Sequence, residues 1–270
     1  MQANSDRQKR ELDYHRRHAT AIAGQYKAID FSVIAEPRRR WWNAYWDVWT
    51  LIRALPLRGL KVLVVGCGSG TDALLLSKLG ADVSAFDLSP DMLALGFGLA
   101  ARAGLPVAFE QMAAENMTYP DATFDIVFAR DILHHVDIAA TMKEVVRVSK
   151  PGALFIVDEI YSHSLTDVIR KSRLVEKILY PRMQKFVYKD RPVYITEDER
   201  KLTERDVALV RRHMSNVHNR KYFNFLVTRL VSDNYTVLNK LDRLLLMLLG
   251  PLGHFCAGRI IFSGSLRHPD

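Results

Sequence analysis

Residues 61–70, KVLVVGCGSG, carry an apolar five-residue run straight into Gly66, Cys67, Gly68, Ser69 and Gly70. KVLVV reads as a buried strand, and Thr71 to Leu79 beyond it as a helix, so the glycines form a strand-to-helix turn. Three glycines at alternate positions let the backbone turn sharply and come close to a ligand with no Cβ in the way. The spacing is G-x-G-x-G, unlike the G-x-G-x-x-G that suits a dinucleotide pyrophosphate, which argues against a NAD-linked oxidoreductase. A second strand, Asp82 to Phe86, ends at Asp87, about twenty residues on, where a carboxylate can accept both hydroxyls of a ribose. Strand, glycine turn, helix and strand-end acid together point to a nucleoside cofactor.

Outward from this turn the α/β alternation continues. Pro90 to Ala103 reads as a helix with Ser89 as its N-cap and Pro90 at the first helical position. Pro106 to Gln111, Asp125 to Ala129 and Ala153 to Val157 supply three more strands. Their apolar runs are continuous rather than alternating, the mark of strands covered on both faces, hence a parallel sheet with helices on each side. The region before Lys61 reads as helical, with an aromatic cluster of Trp41, Trp42, Tyr45, Trp46 and Trp49. That stripe suits a seam docking a helix on the sheet, or a lid over a ligand. Beyond Glu159 the pattern gives helices at Leu165 to Tyr180 and Glu204 to His213 and a strand at Val217 to Phe223. An apolar helical stretch to Leu249 and a last strand at Arg259 to Ser263 follow.

Composition sets the outer bounds. The chain has 270 residues, 49% hydrophobic and 25% charged, with only two cysteines, which excludes disorder and a disulfide-stapled miniature. Cys67 and Cys256 read as reduced thiols, and no metal-ligand spacing is found. The first eighteen residues lack an apolar core for a secretory signal, so a cytoplasmic location is expected. The stretch Leu244 to Gly258 is too short to span a bilayer and is broken by Gly250, Pro251 and Gly253, which leaves an interfacial membrane contact open. The net charge of +8 is uneven: +5 over residues 1–60, −6 over 61–159, +7 over 160–222 and +2 over 223–270. The basic segments suit solvated helix faces, or a phosphate-bearing substrate, nucleic acid or anionic membrane. The domain reading is a helical cap at 1–60, a cofactor-binding core at 61–159, and substrate-side helices with the last two strands of the same domain at 160–270.

The core resembles the class I S-adenosylmethionine-dependent methyltransferases, in particular the small-molecule branch that includes the ubiquinone-biosynthesis methyltransferases. VLVVGCGSG (62–70) is similar to the family's first motif and FDLSPDML (86–93) to its second-strand motif. AAENMTYPDATFDIVFARDILHHV (113–136) matches its third and fourth, and EVVRVSKPGALFIVDE (144–159) its fifth-strand region. The resemblance implies a Rossmann-like, doubly wound, mostly parallel seven-stranded sheet with helices on both faces and helical lid additions at both ends. It implies S-adenosyl-L-methionine as cofactor and S-adenosyl-L-homocysteine as product. Gly66, Gly68 and Gly70, with Cys67 in the same turn, would flank the methionine moiety; Asp87 would hold the ribose and Leu88 the adenine. Ala114 and Glu115 fall on the adenine-contacting segment and Arg130 at the sulfonium end. Where the family often has an acid before that Ala-Glu pair this chain has Ala113, so a backbone contact must serve. Tyr14 and Tyr26 are expected to close on the cofactor.

Methyl transfer from a sulfonium is an in-line displacement, so the chief task is positioning, with a base added if the nucleophile is a hydroxyl. Asp131, His134 and His135 follow the fourth strand, at the carboxyl edge where such sheets bind ligands. His135 is the favoured base, against the reading that both histidines are structural. Glu159, Tyr161 and His163 are expected to face the pocket or to be ordinary loop residues. Arg130-Asp131-Ile132-Leu133 stands where amine methylases of nucleic-acid bases carry an Asn/Asp-Pro-Pro-aromatic motif, which disfavours that substrate. Residues 225–255 read as a helical lid over a hydrophobic pocket, as extra core, or as a membrane contact helped by Lys240 and Arg243. The expected partner is a small, lipophilic or aromatic acceptor; an RNA methyltransferase and a non-catalytic scaffold are the alternatives.

Overall fold

A computed structural model describes residues 6–22, 28–170, 172–173, 177–178, 200–227 and 235–268. Seven strands form one sheet in the order β3-β2-β1-β4-β5-β7-β6. They are β1 (Lys61–Val65), β2 (Asp82–Asp87), β3 (Ala108–Gln111), β4 (Phe124–Arg130), β5 (Ser149–Ile160), β6 (Met214–Phe223) and β7 (Arg259–Leu266). β1 to β5 pair in parallel, while β7 runs antiparallel between β5 and β6. The Rossmann-like, mostly parallel architecture expected from the apolar runs is therefore present.

The helices are α1 (Asp6–Ile22), α2 (Ser32–Ala35), α3 (Ala44–Arg53), α4 (Thr71–Lys78), α5 (Pro90–Ala103), α6 (Ile138–Val148), α7 (Ser164–Arg170), α8 (Glu204–Arg212), α9 (Thr236–Leu248) and α10 (Gly253–Cys256). α5 starts as its sequence dictates: the Met92 N–H donates to the Ser89 hydroxyl, with Pro90 next in the first turn. Alternate residues of the strands divide the core in two. Leu63, Val65, Val127 and Phe155 join Met142 and Val145 of α6 and Val207 and Val210 of α8 on one face. Val62, Val64, Ile126 and Phe128 join Trp46, Trp49 and Ile52 of α3 and Leu75 of α4 on the other. Trp49 is fully buried and meets Phe128 edge to face, so Trp46 and Trp49 form a docking seam while Trp41 stays exposed.

Several boundaries differ from the sequence reading. β5 and β7 are longer than Ala153 to Val157 and Arg259 to Ser263, because their antiparallel ladder runs from Leu154↔Ser265 to Ile160↔Arg259. β6 begins at Met214 rather than Val217 and reaches Phe223 through two register irregularities, with Asn216 and Asn219 at positive φ. The helix expected from Leu165 to Tyr180 is described as Ser164–Arg170, and most of its remainder lies outside the described residues.

Strand order reverses between β1 and β4, so the turns after these strands diverge and leave a crevice at their carboxyl ends, the standard ligand position of such sheets.

Candidate functional site

The crevice opens into a cavity of about 730 Å³. Its floor is the glycine turn. A Cβ on Gly66 (φ +63) would lie 2.5 Å from Ile132, whereas one on Gly68 (φ +53) would meet only the Met92 methyl, at 3.6 Å. Gly68 is thus the position whose missing side chain leaves open space. Gly70 departs from its expected role: it is absent from the cavity wall, and its Cβ would strike the Phe109 ring at 2.7 Å. Its part is to let the start of α4 pack closely on β3 and α5, with φ +77.

Asp87 closes the floor from β2. Its Oδ2 accepts the Gly68 N–H at 2.8 Å and its Oδ1 the Ser89 N–H at 2.9 Å, which fixes a carboxylate with lone pairs to spare at the cavity wall. Leu88, Met92, Met112, Ala113, Ala114 and Glu115 continue that wall. The Glu115 carboxylate is occupied by the Asp137 N–H at 3.0 Å. A hydroxyl-pair acceptor beside an apolar slot and a floor without side chains fits a nucleoside group. Cys67 also lines the cavity, but burial pushes its thiol well up, with the Asp87 charge adding to it, so it is a neutral wall atom.

The opposite end is charged. Arg130 Nε donates to Asp72 Oδ2 at 2.7 Å and Nη1 to Asp131 Oδ2 at 2.9 Å, and its guanidinium lies 4.9 Å from the Tyr45 ring centroid. Arg259 bridges Asp131 Oδ1 at 2.9 Å and Asp158 at 2.6 Å. Burial pushes the Asp131 carboxyl up, but Arg259 and Arg130 outweigh it and hold it below the usual carboxylate range. Asp131 sits at φ +54, an unfavourable backbone for a residue with a Cβ. Burial next to Asp72 pushes the Tyr45 phenol up as well, so it stays protonated.

At the rim two imidazoles lie side by side, their ring centroids 4.0 Å apart, and both line the cavity. His134 Nδ1 is 2.8 Å from Glu159 Oε2. The same carboxylate accepts the N–H groups of Ile132 (2.7 Å) and Leu133 (2.6 Å). Glu159 is therefore a buried anchor under the histidine turn, and it does not reach the cavity as expected. His135 Nδ1 is 3.0 Å from Glu11 Oε1, on α1. With Nδ1 held by a carboxylate, each ring carries its proton there and keeps Nε2 as its basic nitrogen.

The roof is α1, which contributes Gln8, Glu11, Leu12, His15 and His18. The sequence gives no signal for these five, nor for Asp72, Ile160 and Arg259, whereas Tyr45 belongs to the aromatic cluster expected as a seam or a lid. Tyr14 is absent from the wall and packs on His18 and His15; Tyr26 lies outside the described residues. Tyr161 is buried against Tyr222 and His163 against His254 and Phe255, so neither reaches the cavity. Nor does any described residue of α9: this helix exposes its apolar side chains, Val237 at 70% and Leu248 at 84%, and is not the lid. No described helix is long and apolar enough to cross a membrane.

An open, mostly parallel sheet with a cavity at its switch point, floored by a glycine turn and walled by a strand-end carboxylate, defines the class: an α/β fold whose ligand position lies at the carboxyl edge of the sheet. Residues 63–157 match the family model of the methyltransferase domain. The ubiquinone biosynthesis O-methyltransferase of Methylobacterium nodulans is 35% identical over 104 residues, covering 38% of this chain and 42% of that protein. That of Methylococcus capsulatus is 35% identical over 126 residues, 42% and 53% of the two. The chain thus spans about half, or less, of these relatives. Among solved structures, the [4+2]-cyclase SpnF matches with TM-score 0.53 at 17% identity, covering 83% of this chain and 82% of that one. Geranyl diphosphate C-methyltransferase from Streptomyces coelicolor, solved with Mg²⁺, geranyl diphosphate and S-adenosyl-L-homocysteine, matches with TM-score 0.57 at 12% identity over 82% and 78%. At such identities these two speak for the fold.

Proposed function

We propose that the chain is an S-adenosyl-L-methionine-dependent methyltransferase that methylates a hydroxyl of a small molecule. The observation that carries this reading is the pair of carboxylate-anchored imidazoles, His134 and His135, at the rim of a cavity whose other end is built for a nucleoside. Gly66, Cys67 and Gly68 hold the methionine part of the cofactor, Asp87 accepts the ribose hydroxyls, and Leu88, Met112 and Ala114 enclose the adenine beside Glu115. Arg130, with Tyr45 and Asp72, stands at the sulfonium end. When bound, the cofactor supplies an electrophilic methyl on a cationic sulfur, and S-adenosyl-L-homocysteine is the product.

His135 acts as the base. The acceptor hydroxyl gives its proton to Nε2 as its O–CH₃ bond forms and the S–CH₃ bond breaks, the electron pair staying on sulfur. His134, locked to Glu159, sets the direction of the neighbouring ring. Asp131, claimed by two arginines, is a scaffold for the acceptor end and not a base. Holding oxygen, methyl and sulfur in line accounts for most of the rate.

The lipophilic acceptor was expected from either a C-terminal lid or a membrane contact; no described residue of 225–255 lines the cavity, which leaves the second. The acceptor end carries Tyr45, Asp72, Arg130, Asp131, Ile160 and Arg259, a wall suited to a compact aromatic or polar hydroxyl compound. The exposed leucines of α9 suit a peripheral membrane contact of an otherwise cytoplasmic protein. Incubation with methyl-labelled cofactor and extract split into lipid, polar-metabolite and RNA pools tests the assignment. Label in a small molecule, lost in His135→Gln, supports it. Label in RNA moves the protein to another substrate class, and cofactor binding without any labelled product would make it a scaffold.

A further inference from the structure

α1 carries eight charged side chains in seventeen residues, DRQKRELDYHRRHATAI, and reads as a solvated helix. Among its described side chains only Ala19 and Glu11 are buried. Burying a carboxylate is costly unless a partner holds it, and the partner here is His135, at 3.0 Å and 124 residues away in sequence. The other groups facing Glu11 are also imidazoles: His15 Nε2 lies 3.7 Å from its Oε2, and the charge of His134 reaches it across the histidine turn. The exposed pair Arg16–Asp91, at 3.8 Å, also ties α1 to the body. In a polar helix with so little apolar burial, the buried Glu11–His135 bond is a principal docking contact.

We infer that Glu11 is a positioning residue for His135, and that docking of α1 over the cavity completes the base. With the helix seated, Glu11 accepts the Nδ1 proton of His135 and leaves Nε2 for the acceptor. With the helix displaced, His135 loses its tautomer restraint and its negative partner while His134 keeps Glu159. Docking of the roof and competence of the base are then one event. This rests on His135 being the base.

The test combines Glu11→Gln, which keeps an acceptor oxygen and removes the charge, with Glu11→Ala, which removes both. Imidazole ¹⁵N NMR of the full chain, with and without S-adenosyl-L-homocysteine, reads the tautomer directly. The native chain should show His135 protonated at Nδ1, Glu11→Gln should retain that state, and Glu11→Ala should move the proton towards Nε2 while the His134 signal stays put. Using the acceptor pool that takes label, kcat should fall about 100-fold in Glu11→Ala and less in Glu11→Gln. An unchanged His135 tautomer in Glu11→Ala overturns the inference, as does a loss confined to cofactor KM. Full turnover by His135→Gln instead removes the base assignment itself, so the two failures are distinguishable.

Discussion

Gly68 and Gly70 lie two residues apart in one turn, both at positive φ, yet alanine at each should fail in a different way. At Gly70 a Cβ would stand 2.7 Å from two atoms of the Phe109 ring and 3.4 Å from the Gly96 Cα. Phe109 is itself packed edge to face on Phe97, 5.2 Å between centroids, so it has little freedom to retreat. The backbone at φ +77 costs alanine about 1–2 kcal/mol and the overpacking about 1–3 kcal/mol, together about 2–5 kcal/mol. For a chain of this size that lowers Tm by on the order of 10 °C. At Gly68 the new methyl meets only Met92 Cε at 3.6 Å, so the backbone term of about 1–2 kcal/mol stands alone and Tm falls by about 3–6 °C. That methyl enters the floor of the cavity, so affinity for S-adenosyl-L-homocysteine should drop tenfold or more, about 1.4 kcal/mol. Thermal melts and calorimetric titration of both variants at a temperature where each is folded separate the two effects. Near-native stability with lost affinity in Gly70→Ala would refute the assignment of that glycine to packing.

Three further outcomes follow from the same geometry. Asp87→Asn replaces an acceptor of two backbone N–H groups by an amide that must turn its NH₂ towards one of them, so cofactor affinity should fall about 10–100-fold in calorimetry. Glu159→Gln sets an amide against the N–H groups of Ile132 and Leu133 and the ring of His134; urea unfolding should show a loss of about 2–4 kcal/mol, and turnover should fall with it. Burial pushes the Glu11 carboxyl up, but the hydrogen bond and charge of His135, with the charges of His15 and His134, bring it below the usual range. A lowered carboxyl stabilises the folded state above its unfolded pKa and ceases to do so as pH falls through the folded one, so amide protection factors in α1 should drop once the pH falls below the usual carboxylate range.

The cofactor half of the site was legible because its signals are local. A glycine turn after an apolar strand, an acid at the end of the next strand and Ser89-Pro90 at a helix start each describe their own few residues, and all lie within 66–92. Gly70 shows the limit of that reading, since its neighbour in space is Phe109, beyond the whole of α5. The histidine turn was also readable, but not what orients it. Glu11 sits in a helix whose charge pattern describes a solvated surface, and only tertiary docking brings it to His135. The C-terminal apolar stretch carried three readings, lid, core and membrane contact: no described residue of α9 lines the cavity, and most of its leucines are exposed. β7 ran past its sequence boundary because two antiparallel neighbours extend a strand whose own residues, Gly264 and Ser265, carry little β signal.

Calorimetric titration of the purified chain with S-adenosyl-L-homocysteine tests the central claim most directly. One molecule bound per chain, with affinity lost in Gly68→Ala and reduced in Asp87→Asn, is the predicted result. A folded chain that gives no heat with either the product or S-adenosyl-L-methionine would contradict the account.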